Sequence, residues 1–315
     1  MKSTLFSELY DLLHKNNSLF IFADLKKNPD FKKIADDFQD RFTDINKNES
    51  STLSICASLL AQKKSVILCV NIPNFIVRWY EQLVTEIFNK THPFIIIGIP
   101  FEETKWGSFR PEIALNYTIP NLNIVVPATR QEIGSLLSQV FMSKKSFYVH
   151  IDTLTSYPIE TETKDAAQLS MPLVYSKGSQ VACIGIGNGL SKALQAKLYL
   201  ESYGYSGSLI SMHTVKPFNT EALLKILHSY SAIFVFEELD SPLGVGKLLG
   251  SFVAENTSRT ILFRTFSPHS NEQHSGSLHS GYPDKTLNMR TCTLEIIELM
   301  IHFNIIPTHP SWHGK

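Results

Sequence analysis

Acids at the ends of apolar runs and histidines in polar stretches are the residues of this sequence best placed to do chemistry. Glu49 stands in Lys47-Asn48-Glu49-Ser50-Ser51, just ahead of a helix-sized stretch. Taken alone, that pattern describes a surface glutamate favoured by the helix dipole. A carboxyl in the same place but buried against a ring would have a raised pKa and could carry a shared proton. Glu237-Glu238 end an apolar run, where paired acids suit a structural role as well as a catalytic one. Phe75 and Arg78 lie at the start of another helical stretch. From the residues alone they read as a core phenylalanine and a surface arginine near Glu81 or Glu86. His269, His274 and His279 recur at intervals of five, a spacing that does not stack ligands on a helix face as i, i+4 would. No metal site is expected from them, because partner ligands are missing. Gly185-Ile186-Gly187-Asn188-Gly189-Leu190 follows one apolar run and opens a helix, like a dinucleotide-binding turn. Leu190 stands where the third glycine is needed, so the segment reads as a tight strand-to-helix turn. His213 reads as a structural residue near a strand end.

The elements that position these residues alternate regularly. Leu5, Leu9, Leu12 and Leu13 predict a helix over 4–15. Ser18–Phe22 predicts a strand ending in Ala23-Asp24, Asp30–Phe42 a helix, and Ser51–Ala61 a helix that Ser50 or Ser51 could cap. Val66–Val70, Phe94–Ile99, Ile124–Pro127 and Phe147–Ile151 predict strands. Phe75–Asn89, Pro111–Tyr117 and Arg130–Phe141 predict helices. Residues 154–172 lose the apolar pattern and read as a polar linker. Beyond it come strands at Val181–Ile186, Ser208–Met212, Ile233–Glu237 and Thr260–Phe266. Helices are predicted at Leu190–Tyr203, Thr220–Tyr230, Val245–Asn256 and Leu294–Phe303. Doubly apolar strands alternating with helices argue for parallel sheets covered on both sides. The expected architecture is therefore α/β, in two consecutive domains, a count that 315 residues also favour.

Composition narrows the function classes. Hydrophobic residues make up 43% and charged residues 18%, which are globular proportions. Lys plus Arg equals Asp plus Glu at 29 each, so the chain lacks the basic footprint of a nucleic-acid binder. No apolar run approaches a membrane span, and Lys2 and Glu8 interrupt the place of a signal-peptide core. Cys56, Cys69, Cys183 and Cys292 are scattered, and read as reduced thiols of a cytoplasmic protein.

Several segments resemble the transketolase family and the similar deoxyxylulose-phosphate synthases. Arg41-Phe42-Thr43-Asp44-Ile45-Asn46-Lys47-Asn48-Glu49-Ser50-Ser51 resembles the segment where a strand leads into Gly-Ile-Ala-Glu-Gln and a helix, and the family glutamate falls on Glu49. Phe75-Ile76-Val77-Arg78-Trp79-Tyr80-Glu81-Gln82 is similar to Phe-Leu-Gln-Arg-Ala-Tyr-Asp-Gln of those synthases. Ile119–Ala128 resembles the family's Pro-Asn-Met, apolar strand, Pro-Ala. Met212-His213-Thr214-Val215-Lys216-Pro217-Phe218-Asn219 resembles Met-His-Thr-Ile-Lys-Pro-Leu-Asp of transketolase C-terminal domains, and Glu237-Glu238 falls on Glu-Glu-His. The matches come in family order over nearly the whole chain.

The resemblance implies a pyrimidine-binding domain over residues 1–153, a linker over 154–172 and a transketolase C-terminal-like domain over 173–315. It implies thiamine diphosphate with Mg2+ as cofactor. Glu49 would be the catalytic acid on the aminopyrimidine, Phe75 would stack on that ring, and Arg78 would contact substrate phosphate. His150 takes the place of a family arginine and would also face substrate. The sequence contains no Gly-Asp-Gly…Asn segment to hold the diphosphate and metal. The resemblance is therefore to the small subunit of a split transketolase. A partner chain would carry that site, in a homodimer or heterotetramer that transfers a two-carbon ketol unit between sugars. Departures from the pattern are Asn46, Asn48 and Ser50 for Gly, Ala and Gln, a histidine-free stretch over Glu102–Arg110, and Leu239 for a histidine. They keep two alternatives open: a non-catalytic structural or regulatory subunit, and a deoxyxylulose-phosphate-synthase or 2-oxo-acid-dehydrogenase-like subunit.

Overall fold

Strands that are apolar on both faces can be buried only inside a sheet covered on both sides, and the computed structural model arranges them in two such sheets. It describes residues 2–24, 29–45, 49–71, 79–88, 93–99, 118–151, 159, 165–237, 244–267 and 289–306. The first half contains α1 (Lys2–Lys15), β1 (Leu19–Ala23), α2 (Lys32–Asp37), β2 (Phe42–Asp44), α3 (Glu49–Ala61) and β3 (Ser65–Asn71). It continues with a π-helical segment at Leu83–Phe88, then β4 (Phe94–Ile99), β5 (Leu122–Val125), α4 (Arg130–Met142) and β6 (Ser146–His150). The second half contains β7 (Leu173–Ser176), β8 (Val181–Gly185), α5 (Gly189–Ser202), β9 (Gly207–Ser211) and β10 (Thr214–Lys216). It closes with α6 (Thr220–Ser229), β11 (Ala232–Phe236), α7 (Val245–Asn256), β12 (Leu262–Phe266) and α8 (Met289–His302).

The first sheet has the order β10-β5-β6-β4-β3-β1-β2 and the second β12-β11-β8-β9-β7. All pairings are parallel except two: β7 with β9, and β10 with β5. Neighbouring side chains along each strand serve opposite layers. Ile21, Ile67 and Ile97 face one apolar layer with Leu5, Leu9 and Leu13 of α1. Phe22, Leu68 and Ile96 face the other with Leu53 and Leu60 of α3. Each layer runs on into the second half, through Cys183 and Phe234 in the first case and Ile184 and Val235 in the second.

The structure corrects several expected elements. Residues 30–42 are not one helix: α2 stops at Asp37, and the chain turns to enter β2. Arg41 sets that turn, its Nη1 donating to the carbonyls of Leu13 and Asn16 at 2.9 Å each, where it caps the end of α1. The short strands β2, β7 and β10 escaped the periodicity because three or four residues carry too little pattern. The expected helix 75–89 is seen over its described part, as a helical turn and the π segment; its start, and the expected helix Pro111–Tyr117, lie outside the described residues. The closing helix begins at Met289, five residues before the expected Leu294. Residues 165–172 are strapped down rather than loose. Gln139 of α4 donates to the Ala167 carbonyl (2.8 Å) and accepts from the Leu169 N–H (3.1 Å), while Ala167 is fully buried.

Two glycines separate close approach from spare space. At Gly189 an added Cβ would collide with the Phe236 carbonyl of the adjacent strand end, whereas at Gly134, inside α4, it would meet only Glu8 Oε1 at 3.5 Å. Gly189→Ala is expected to destabilise the chain by about 2–3 kcal/mol through overpacking. Gly134→Ala should stabilise it by roughly 0.5–1 kcal/mol through helix propensity. Denaturant midpoints of the two variants check this; equal midpoints would contradict the packing at Gly189.

Candidate active site

In an open parallel sheet, ligands bind outside the carboxyl ends of the strands where the strand order reverses. In the first sheet that point is β1: β2 lies on one side of it and β3 on the other. Asp24 follows β1 there and is buried. Sequence reasoning treated it only as a strand end, and burial is what distinguishes it. β2 ends at Asp44, paired with Ala23, and the chain then opens α3 at Glu49. The helix thus starts on Glu49 itself rather than on Ser51, and a strand leads into it.

His150 ends β6 and is 4% exposed, with its Nδ1 3.3 Å from the hydroxyl of fully buried Tyr148. It lies at the same carboxyl edge as the end of β2, the strand that precedes Glu49, and β6 and β2 are four places apart in the sheet. Phe75 and Arg78 lie outside the described residues, as do Glu238, Leu239 and the histidines at 269, 274 and 279. Among the described residues, no group of three His, Cys, Asp or Glu side chains could hold a metal ion. No helix among them is long and apolar enough to cross a membrane.

Other buried polar groups gather where the two halves meet. Glu132, fully buried in the first turn of α4, accepts from the Ala128 N–H (2.6 Å) and from the Tyr175 hydroxyl of β7 (2.9 Å). Burial raises its pKa, opposed by those donors. Its own N–H donates to Oγ of Thr129, the N-cap of α4, which also contacts Tyr175 at 3.2 Å. His213 is fully buried beside Thr214 (Nδ1 to Oγ1, 3.0 Å), and burial lowers its pKa to about 4. Its carbonyl accepts from the Val126 N–H at 2.6 Å, which ties it to the end of β5.

Glu237 has a different surrounding. It follows β11, is 2% exposed, and its Oε1 accepts from the Gly246 N–H (3.0 Å) at the start of α7. Gly244 at the N-cap has no side chain to cap that helix, and the glutamate does so from a distance. Gly244 and Gly246 leave the room: a Cβ on either would crowd Glu237 Oε1, at 2.6 and 2.8 Å. Among the described residues Oε2 has no hydrogen-bond partner. Burial raises the pKa to about 7, against the pull of the Gly246 and Val245 N–H groups and Lys247.

The comparisons with known proteins agree with this architecture. Residues 173–272 match the family model described as transketolase, C-terminal domain. The 1-deoxy-D-xylulose-5-phosphate synthase of Campylobacter fetus subsp. fetus is 25% identical over 274 residues, covering 84% of this chain and 44% of that enzyme. The synthase of the same name from Fusobacterium nucleatum subsp. nucleatum is 26% identical over 256 residues, covering 79% and 42%. Over residues 173–272 the chain is similar to transketolase C-terminal domains. The chain spans less than half the length of these curated relatives. Among solved structures, one titled "Split gene transketolase, inactive beta4 tetramer" superposes with a TM-score of 0.72 at 18% identity, covering 84% of this chain and 88% of that one. A transketolase mutant from Pichia stipitis gives 0.57 at 13% identity, covering 82% and 47%. At such identities the two structures speak for the fold alone.

The Glu237 site generates a pH prediction. A carboxyl whose folded pKa is raised keeps a proton that the unfolded chain releases. Stability from this group is therefore highest below about 4.5 and falls as pH rises to about 7, beyond which it is flat. The loss amounts to roughly 3 kcal/mol between those limits. Glu237→Gln should remove that slope while its amide oxygen still caps α7. Urea unfolding at several pH values between 4.5 and 8 measures it, and an unchanged slope in the variant would show that the carboxyl is not its source.

Proposed function

We propose that this chain is the small subunit of a transketolase-like, thiamine-diphosphate-dependent transferase that moves a two-carbon ketol unit between sugars. The observation that carries the reading is the position of Glu49. The residue that falls on the family glutamate is the first residue of α3, entered from β2 at the carboxyl edge of the first sheet. Residues 1–153 are read as the pyrimidine-binding domain, 154–172 as the connection and 173–315 as the C-terminal domain.

Thiamine diphosphate, when bound, supplies the nucleophilic carbon that attacks a ketose carbonyl. The chain's own residues would do the rest at the ring end. Glu49 would hold the proton shared with the aminopyrimidine, and Phe75 would stack on that ring, supplying area and orientation together. Arg78 and His150 would engage the substrate. The buried Asp24 and the reversal of strand order at β1 fit a polar, flat ligand seated at this edge. The diphosphate and Mg2+ are assigned to a partner subunit, since no Gly-Asp-Gly…Asn segment occurs in the sequence. The assembly would be a homodimer or heterotetramer. A second reading, a subunit that keeps the fold but not the chemistry, is favoured by one observation: Asn46, Asn48 and Ser50 surround Glu49 where the family has Gly, Ala and Gln.

The test is reconstitution with a co-purifying chain that carries Gly-Asp-Gly…Asn, with calorimetry of thiamine diphosphate and Mg2+ and an assay of ketol transfer. The pair is expected to bind and turn over, the isolated chain to bind poorly, and Glu49→Gln to lower turnover by about 10²–10⁴-fold. Cofactor binding that ignores the Glu49 substitution, together with absent turnover, would establish the non-catalytic reading.

A further inference from the structure

The amino edge of the first sheet, opposite the candidate site, gathers positive charge. β6, β4, β3 and β1 are neighbours there and run parallel. The chain enters β1 through Lys15-Asn16-Asn17-Ser18, β3 through Gln62-Lys63-Lys64-Ser65 and β6 through Ser143-Lys144-Lys145-Ser146. These three turns carry five lysines and no acid, in a chain whose 29 acids and 29 bases balance. Lys64 is half-buried and the other four lysines are exposed. Among the described residues none of the five forms an ion pair. Exposed Asp11 lies one turn before Lys15 and exposed Asp40 just ahead of β2, so the lysines before β3 and β6 are the ones far from them along the chain. The C-terminal ends of α1, α3 and α4 adjoin these turns, and their dipoles favour cations there. The dipoles do not account for lysine at positions 63 and 144, whose φ values of 61° and 54° are left-handed and suit glycine with less strain.

Between the turns the edge is apolar. A groove of about 270 Å³ opens there, lined by Val66, Pro93, Ile95, Phe141, Met142 and Lys144. Asn16 and Ser65 complete it, so each of the three lysine turns contributes to its wall. Met142, the last residue of α4, is 77% exposed. One exposed methionine alone needs no explanation. Here it borders an apolar groove flanked by lysines, and its flexible side chain adapts to whatever enters. The volume falls below the roughly 300–1,000 Å³ of small-molecule sites and fits a single anchoring side chain. We infer that this edge docks an acidic peptide segment of a partner protein, with one apolar side chain in the groove and carboxylates on Lys63, Lys64, Lys144 and Lys145. Charge complementarity selects the occupant, because a one-signed rim repels a basic or neutral-basic segment and steers an acidic one. Nucleic acid fits less well, since Val66, Ile95 and Met142 give bases no ring platform to stack on. The edge lies away from the carboxyl ends of the strands, so the inference stands independently of the function proposed above.

Selection of a phage-displayed library of random dodecapeptides on the immobilised full chain tests the inference. The enriched peptides are expected to carry several Asp or Glu residues around one Leu, Met or Phe. Made synthetically with a fluorescein label, they should bind the chain in fluorescence anisotropy and weaken as salt is raised. The double variant Lys64→Glu, Lys144→Glu should weaken them by about tenfold or more, and Met142→Gln several-fold. All three positions are at the surface, and unchanged denaturant midpoints confirm that the variants fold. Failure to enrich any peptide, enrichment without an acidic bias, or binding unaltered by the double charge reversal overturns the inference. A single-stranded oligonucleotide that displaces the peptides and binds more tightly than they do overturns it in favour of nucleic acid.

Discussion

The antiparallel pairing of β10 with β5 is the contact on which the arrangement of the two halves depends. β5 would otherwise be the outer strand of the first sheet, with a row of backbone groups open to whatever could pair with it. Thr214–Lys216, from the second half, covers that edge through Thr214↔Val125 and Lys216↔Ile124. The Val126 N–H extends the pairing to the His213 carbonyl, and the Lys216 ammonium donates to the Ile119 carbonyl at 2.5 Å. Neither strand is long enough to stand alone, at three and four residues. Their pairing holds because both ends are fixed by larger bodies and because the apolar layers run through from one sheet to the other. Gly187 shows how close the approach is: with φ at +54° it leaves the space that Val126 Cγ1 fills, and a Cβ there would sit 2.7 Å from that methyl.

Two buried carboxyls accept backbone N–H groups beside helix starts: Glu132 takes that of Ala128, just ahead of α4, and Glu237 that of Gly246, in the first turn of α7. Glu132 joins α4 of the first half to Tyr175 of the second, so its carboxyl serves the helix start and the interface at once. Glu237 serves the start of α7, and among the described residues its Oε2 has no partner; burial dominates its protonation. Neither is at the edge where β1 and β2 end. Glu132 and Glu237 thus serve the architecture of helix starts.

The sequence made the alternation legible because buried parallel strands and their covering helices differ in length and pattern, as Phe94–Ile99 and Arg130–Met142 do. It hid what depends on pairing. Phe42 reads as the end of a helix because Phe31, Ile34 and Phe38 lie on one helical face, whereas it opens β2 and Arg41 before it is held by α1. Thr214–Lys216 carries no strand pattern of its own; its partner lies about ninety residues upstream in a different half. At the candidate site the placement of Glu49 beside a helix start could be read, while the positions of β2 and β6 in the sheet could not, because no local motif encodes strand order. Tyr148 was passed over for a similar reason: an aromatic in an apolar strand looks like core, and it is core, but its hydroxyl faces the next residue on the same face.

β2, which precedes Glu49, and β6, which ends at His150, lie four places apart in the first sheet. β10 limits the sheet on the far side, because it closes β5 and ties that flank to the second half. A cofactor that is flat and apolar at one end and heavily charged at the other needs two unlike surfaces, one stacking and one rich in donors and metal ligands. Under the proposed function this chain would supply the first and a partner chain the second.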